Sequence, residues 1–71
     1  MEIQYLTAIC FTFDNKPMKY RSIRNRPRQV KLFEEYCGKQ EIMYINYYSK
    51  ETRKFHIRKY RQPGGSFEAK I

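Results

Sequence analysis

Hydrophobic and polar residues follow a strand-like pattern at the start of the chain. Residues 3–13 carry apolar and aromatic side chains at both odd and even positions, which predicts a central strand with both faces partly covered. Asp-Asn-Lys-Pro at 14–17 favours a turn, because Asp and Asn tolerate the left-handed region and Pro fixes φ. Residues 18–23 then predict a second strand, paired with the first as a hairpin.

The pattern changes to a helical period over residues 25–39. Pro27 suits a first turn, where its missing N–H costs nothing, and Asn25 is the expected N-cap. Gly38 is expected to end the helix as the C′ glycine. The apolar stripe expected to face a sheet consists of Leu32, Phe33, Tyr36 and Cys37, with Val30 at its edge.

Two further strands are predicted at 41–49 and 53–62, around a turn at 50–52. Alternation assigns their side chains to two faces. The residues expected to face the helix are Met43, Ile45, Tyr47, Phe55 and Ile57. The residues expected on the opposite, open face are Tyr44, Asn46, Tyr48, His56, Arg58 and Tyr60.

These elements predict an α+β fold of compact ββαββ form, in which a four-stranded antiparallel sheet has the helix packed on one face. Residues 1–62 would form this single domain, and residues 63–71 a C-terminal tail or short edge strand. A chain of 71 residues buries only about 60% of its unfolded surface. Its stability therefore depends on dense packing, on a partner or on self-association, and a homodimer is one possibility.

Positive charge is concentrated in two blocks of a chain whose net charge is +8. Residues 19–31 contain six basic residues and no acidic one, and residues 53–71 contain six basic residues and one acidic. The remaining segments are mildly acidic. Such charge favours a polyanion, and nucleic acid, DNA or RNA, is the commonest polyanion inside a cell.

The first block lies where the second strand leads into the helix. Arginine at a helix N-terminus opposes the macrodipole, so helix stability alone would favour Asp or Glu there. Arginine beside free backbone N–H groups instead suits a phosphate. The alternative is a solvated loop that charge keeps soluble.

The open face combines tyrosine with arginine, which is the pairing that single-stranded nucleic acid uses for base stacking and phosphate contact. The alternative is that Tyr–Arg pairs stabilise the sheet and that a strand with cations on both sides is a protected edge strand. The predicted nucleic-acid-binding residues are Lys19, Arg21, Arg24, Arg26, Arg28, Lys31, Tyr44, Tyr48, Arg53, Lys54, His56, Arg58, Tyr60 and Arg61.

Other chemistry has little support in the sequence. No phosphate loop, paired carboxylates or nucleophile elbow is present, so a non-enzymatic role without a cofactor is expected. A small ribonuclease would use His56 and Tyr60 first. Cys10 and Cys37 lack metal-ligand spacing and are interpreted as reduced core thiols of a cytoplasmic protein.

The apolar segment 3–13 is too short to span a membrane and lacks the features of a signal peptide, so no membrane association is expected. The function predicted from the sequence is a small basic nucleic-acid-binding domain. The alternative is a protein-binding module or inhibitor that docks on an acidic protein surface. This alternative includes a module that binds as a homodimer.

Overall fold

The computed structural model describes residues 3–69, apart from the side chains of residues 19 and 20. It is a small α+β domain with one helix and an antiparallel sheet among these residues. The sheet order is β2-β1-β3-β4-β5. The elements are β1 (Tyr5–Thr12), β2 (Pro17–Arg24), α1 (Pro27–Gly38), β3 (Ile42–Ser49), β4 (Phe55–Arg61) and β5 (Phe67–Ala69).

The order of the first four strands and the helix is confirmed, but the expected sheet of four strands is wrong. Gly64 and Gly65 take φ values of 96° and 92°, which turn the chain back so that β5 pairs with β4. Phe67 of β5 is buried, and this burial favours a fifth strand over a loose tail. The sheet edges among the described residues are therefore β2 and β5, and β4 pairs with β5 from Lys59 to Arg61.

The core lies between α1 and one face of the sheet. Alternate residues of β1 point toward the helix and are almost fully buried, and β3 supplies the largest buried side chains. The thiols of Cys10 and Cys37 are both buried and form a hydrogen bond with their Sγ atoms 3.6 Å apart, which confirms their prediction as core residues. The core consists of Leu6, Ala8, Cys10, Phe33, Cys37, Ile42, Ile45, Tyr47 and Phe67.

The helix uses a narrower apolar stripe than the sequence predicted. Phe33 and Cys37, four residues apart, are its buried residues, whereas Leu32 and Tyr36 are 52% and 40% exposed. The Tyr36 ring packs against the Arg21 guanidinium of edge strand β2, whose Cζ lies 5.7 Å from the ring centre.

Asn25 does not serve as the N-cap. Arg26 occupies that position with extended backbone angles and makes no side-chain capping hydrogen bond. The Asn25 amide instead donates to the Ile3 carbonyl at 2.8 Å, which ties the start of the helix to the segment before β1.

Two register shifts overturn the expected faces of Met43 and Phe55. Thr12 pairs with Ile42 but Phe11 pairs with Tyr44, so Met43 is an extra residue, and Ile42 replaces it in the core. In the second shift, Tyr47 pairs with Ile57 but Tyr48 pairs with Phe55, which makes His56 the extra residue. Phe55 therefore lies on the open face of the sheet, since a shift of one residue reverses the face of every residue beyond it.

Gly38 is required for a reason different from the expected one. It is the last helical residue, and Lys39 is the C-cap with ordinary right-handed angles. A Cβ atom on Gly38 would lie 2.6 Å from the Gly65 carbonyl oxygen, which is backbone and has little freedom to move. The glycine thus permits close packing between the end of α1 and the turn before β5.

A buried tyrosine joins the helix to the sheet. Tyr47 is 1% exposed, and its hydroxyl donates to Glu34 Oε2 at 2.7 Å. The same oxygen lies 2.8 Å from Lys59 Nζ. Burial, followed by the hydrogen bond to Glu34, raises the pKa of Tyr47 far above the usual tyrosine value.

Replacing Tyr47 with phenylalanine gives a pH-dependent test of this contact. At pH 7 the variant should be about 1 kcal/mol less stable than the wild type, because it lacks the hydrogen bond to Glu34. The folded protein holds the Tyr47 proton above pH 10 while the unfolded chain releases it, so wild-type stability should fall by up to about 1.4 kcal/mol per pH unit there. The phenylalanine variant has no proton to release at this position, so the stabilities of the two proteins, measured from urea unfolding curves, should cross at about pH 11. Parallel curves from pH 9 to 12 would contradict this account.

Candidate nucleic-acid interface

The first basic segment, the β3–β4 turn and the start of the second basic segment lie at one end of the sheet. Arg24, the last residue of β2, pairs with Tyr5, the first residue of β1. On the other side of Tyr5, the Lys50 backbone N–H donates to the Tyr5 carbonyl at 3.0 Å. The Arg24 guanidinium and the Lys50 ammonium lie 5.7 and 5.8 Å from the centre of the Tyr5 ring. Segments far apart in sequence therefore place their cations on one aromatic side chain.

Further cations surround this contact, because α1 begins and the β3–β4 turn lies at the same end. Their exposed side chains and the Tyr5 ring form a surface that we call the basic end. Tyr5, Arg24 and Arg26 also line a shallow polar cleft beside Pro27. The cations of the basic end are Arg24, Arg26, Arg28, Lys50, Arg53 and Lys54.

The charge of the basic end is not neutralised by ion pairs within the described part of the chain. The ion pairs described there join Lys16 to Asp14 and Lys59 to Glu34, and neither cation belongs to the basic end. The acidic residue of this region is Glu51, whose carboxylate accepts hydrogen bonds from the Tyr5 backbone N–H and the Ser49 hydroxyl. A hydrogen bond from its own backbone N–H, followed by the one from Ser49, lowers the pKa of Glu51. The basic end thus has six cations and one nearby carboxylate, which hydrogen bonds hold within the β3–β4 turn.

The start of α1 has the composition that the sequence suggested. No acidic residue lies in its first turn, and Pro27 follows the N-cap directly. The backbone N–H groups of that turn therefore lie beside Arg26 and Arg28 without a side-chain cap. This arrangement adds a partial positive charge to the basic end.

The open face of the sheet carries an ordered row of rings. Phe11 stacks on Tyr44 with ring centres 4.7 Å apart, and Tyr44 lies 5.8 Å from Tyr60. The Arg58 guanidinium lies 4.7 Å from the centre of the Tyr44 ring. Contacts within the sheet thus already occupy Tyr44 and part of Tyr60, which leaves them little ring surface for a nucleobase.

Hydrogen bonds hold Arg58 in this row. Its Nε donates to Asn46 Oδ1 at 2.6 Å, and its Nη1 donates to the Tyr60 hydroxyl at 3.3 Å. The hydrogen bond with Tyr60 raises the pKa of Arg58 above its usual value. The Asn46 amide in turn donates to the Tyr48 hydroxyl at 3.4 Å. Arg58 is thus a fixed charge within an aromatic network.

The remaining predicted residues are dispersed. Arg21 lies under Tyr36 on edge strand β2, and Lys31 is exposed one turn beyond the helix start. His56 is exposed at the irregular position of β4, and the side chain of Lys19 lies outside the described residues. Arg61 is at the far end of the sheet, where it donates four hydrogen bonds to carbonyls around the end of α1.

Sequence reasoning missed Tyr5, Lys50 and Phe55 as surface residues of this region. Tyr5 was included in an apolar strand, and Lys50 belonged to a segment with net negative charge. Phe55 alternates with core residues in the sequence, and only the register shift places it outside the core. What these residues share is their position: each lies at the end of a strand and has a cation as a neighbour, either in the sequence or in the structure.

Metal and membrane chemistry find no support in the described residues. They contain no group of three or more His, Cys, Asp and Glu side chains placed to hold a metal ion. No described helix is long and apolar enough to cross a membrane. The comparisons with known protein families, with curated proteins and with solved structures give no match.

Proposed function

We propose that this protein is a small nucleic-acid-binding domain, and that it holds the phosphate backbone at the basic end. The observation that carries the proposal is the meeting of Arg24 and Lys50 on the Tyr5 ring. It joins the first basic segment to the β3–β4 turn, which leads into the second basic segment, in one exposed surface. These cations have flexible side chains and form no ion pair within residues 3–69, which suits a phosphate backbone that demands charge and little geometric precision.

The surroundings of the basic end support nucleic acid over other polyanions. Phosphates contact Arg and Lys, while sugars and bases need apolar or aromatic surface nearby. Tyr5 lies within the basic end, and Phe55 follows Lys54 directly. The buried contact between Cys10 and Cys37 is a hydrogen bond between thiols at 3.6 Å, which supports a reducing compartment, the cytoplasm, as the place of action.

Salt dependence of binding is the main test of this proposal. Contact between all six cations and a single strand should make log K fall with log salt at a slope of about −4, or about 300-fold between 50 and 200 mM salt. We expect fluorescence anisotropy of a labelled oligonucleotide to show this slope. Absence of binding at 50 mM salt, or affinity that does not change with salt, would contradict the proposal.

Two controls separate the other functional hypotheses. Polyglutamate replaces the oligonucleotide as an anion without bases or phosphates, and tighter binding to it than to any nucleic acid would favour a partner with an acidic protein surface. Labelled RNA from the same samples is then run on a denaturing gel. Intact RNA is the expected result, whereas cleavage that disappears in His56→Ala would assign a ribonuclease activity instead.

A further inference from the structure

An exposed phenylalanine extends the basic end onto the open face of the sheet. Phe55 is 56% exposed, and its ring packs edge to face with its cross-strand neighbour Tyr48, at 5.7 Å between centres. A single exposed apolar residue is ordinary in itself. Phe55 differs in its location, since it directly follows Lys54 of the basic end.

The surface around Phe55 is concave and mixed in chemistry. A shallow niche along β4 is lined by Phe55, His56, Ile57, Arg58 and Tyr60. Its members offer apolar ring surface, a fixed guanidinium and groups that form hydrogen bonds. Phe55 lies two strands from Tyr5, or about 10 Å at the usual strand spacing. The niche is therefore adjacent to the cations.

We infer that Phe55 stacks against an unpaired base of a single strand whose phosphates lie on the basic end. This inference rests on the proposed function, because the cations must hold the backbone for a base to reach the niche. The base faces of a duplex are stacked on one another and are not accessible to a side chain, so Phe55 contributes only to single-strand binding. The domain thus prefers single-stranded to duplex nucleic acid.

The other aromatic residues fit this role less well. Tyr44 is covered by Phe11 and Arg58, and Tyr5 is covered by Arg24 and Lys50. Phe13, which is 60% exposed, lies at the opposite end of the sheet, beyond the end of β1. Phe55 is the exposed ring that the described structure places beside the basic end.

The absence of tryptophan from the sequence makes a direct test possible. The Phe55→Trp protein contains one tryptophan, and stacking on a base should quench its fluorescence when single-stranded oligonucleotide is added. A strand of abasic sites should bind through its phosphates and leave the signal unchanged. Phe13→Trp is the matched control and should show no quenching with either strand.

Phe55→Ala gives the affinity test. Its affinity for single strands should fall about 10-fold, while its duplex affinity should equal that of the wild type. Two results together would overturn this inference and leave phosphate binding intact. The wild type and Phe55→Ala would each bind single strands and duplexes with equal affinity, and the tryptophan of Phe55→Trp would show no quenching at saturation. If the wild type binds no nucleic acid, both proposals fail.

Discussion

Replacing Arg61 with alanine should lower the free energy of unfolding by about 3 kcal/mol. Its guanidinium donates from Nε to the Ile42 carbonyl at 2.6 Å and from Nη2 to the Gln40 carbonyl at 2.6 Å. Weaker bonds reach the Gly38 and Cys37 carbonyls at 3.3 and 3.2 Å. Alanine would remove a charged donor from four carbonyls at once. It would also remove a cation that complements the negative end of the helix dipole.

The last turn of α1 contains no basic residue of its own, so Arg61 from β4 adds to the charge of the C-cap residue Lys39 at this helix end. Its guanidinium also lies 5.2 Å from the centre of the buried Phe67 ring, which links the helix end to β5. Urea unfolding monitored by circular dichroism measures the loss. A change below about 0.5 kcal/mol would show that water replaces these hydrogen bonds without cost.

Arg61→Lys is the matched control, because it keeps the charge but loses the planar set of donors. We expect it to recover about 1 kcal/mol of the loss through the helix dipole alone. Arg61 uses four of its five N–H donors within the fold. The nucleic-acid affinity, once corrected for the folded fraction, should therefore be similar in the wild type and in the lysine variant, and we leave Arg61 out of the basic end.

Much of the fold could be predicted from local pattern. Alternation and turn residues determined four strands and one helix in the correct order, because each is encoded within a few neighbouring residues. Asn15 takes a φ of 65°, as the predicted turn at 14–17 required. The sequence leaves a fifth strand open, as a short edge strand or a tail at 63–71, because three residues carry too little alternation to decide between them. Its evidence is the burial of Phe67, which depends on tertiary packing.

The candidate site was less predictable, because strand order and bulges depend on the whole sheet. The sequence indicated cations at the start of the helix, but only the order β2-β1-β3-β4 brings the β3–β4 turn near them through Tyr5. A bulge adds one residue and leaves no clear signal in composition. The shift at His56 therefore reversed Phe55 from an expected core residue to an exposed one.

Replacing three of the six cations of the basic end with neutral residues should lower nucleic-acid affinity about 100-fold, the largest effect on binding that we expect. One variant combines Arg24→Gln, Arg26→Gln and Arg28→Gln, and the other combines Lys50→Gln, Arg53→Gly and Lys54→Gln. Three lost phosphate contacts should reduce the slope of log K against log salt by about 2, which at 0.1 M salt corresponds to about 100-fold in affinity for a single strand. Anisotropy titrations at several salt concentrations measure both quantities.

The fold should tolerate these changes, since all six side chains are exposed. Arg53 has a φ of 63°, so glycine there relieves a strained backbone while it removes a charge. The control combines Lys16→Gln and Lys39→Gln, which lie at the opposite end of the sheet. An eight-residue strand spans about 26 Å, and charges are screened over about 10 Å at 0.1 M salt, so this control should change affinity less than about 3-fold.

Comparison of the two triple variants tests whether the basic end is one site. If Tyr5 joins both segments into a single surface, each variant loses affinity for the same oligonucleotide, and each shows a shallower salt slope. If only the segment at the start of the helix binds phosphate, the second variant keeps wild-type affinity and slope. A control pair that weakens binding as much as either triple variant would instead show that net charge alone, and no particular end of the sheet, attracts the polyanion.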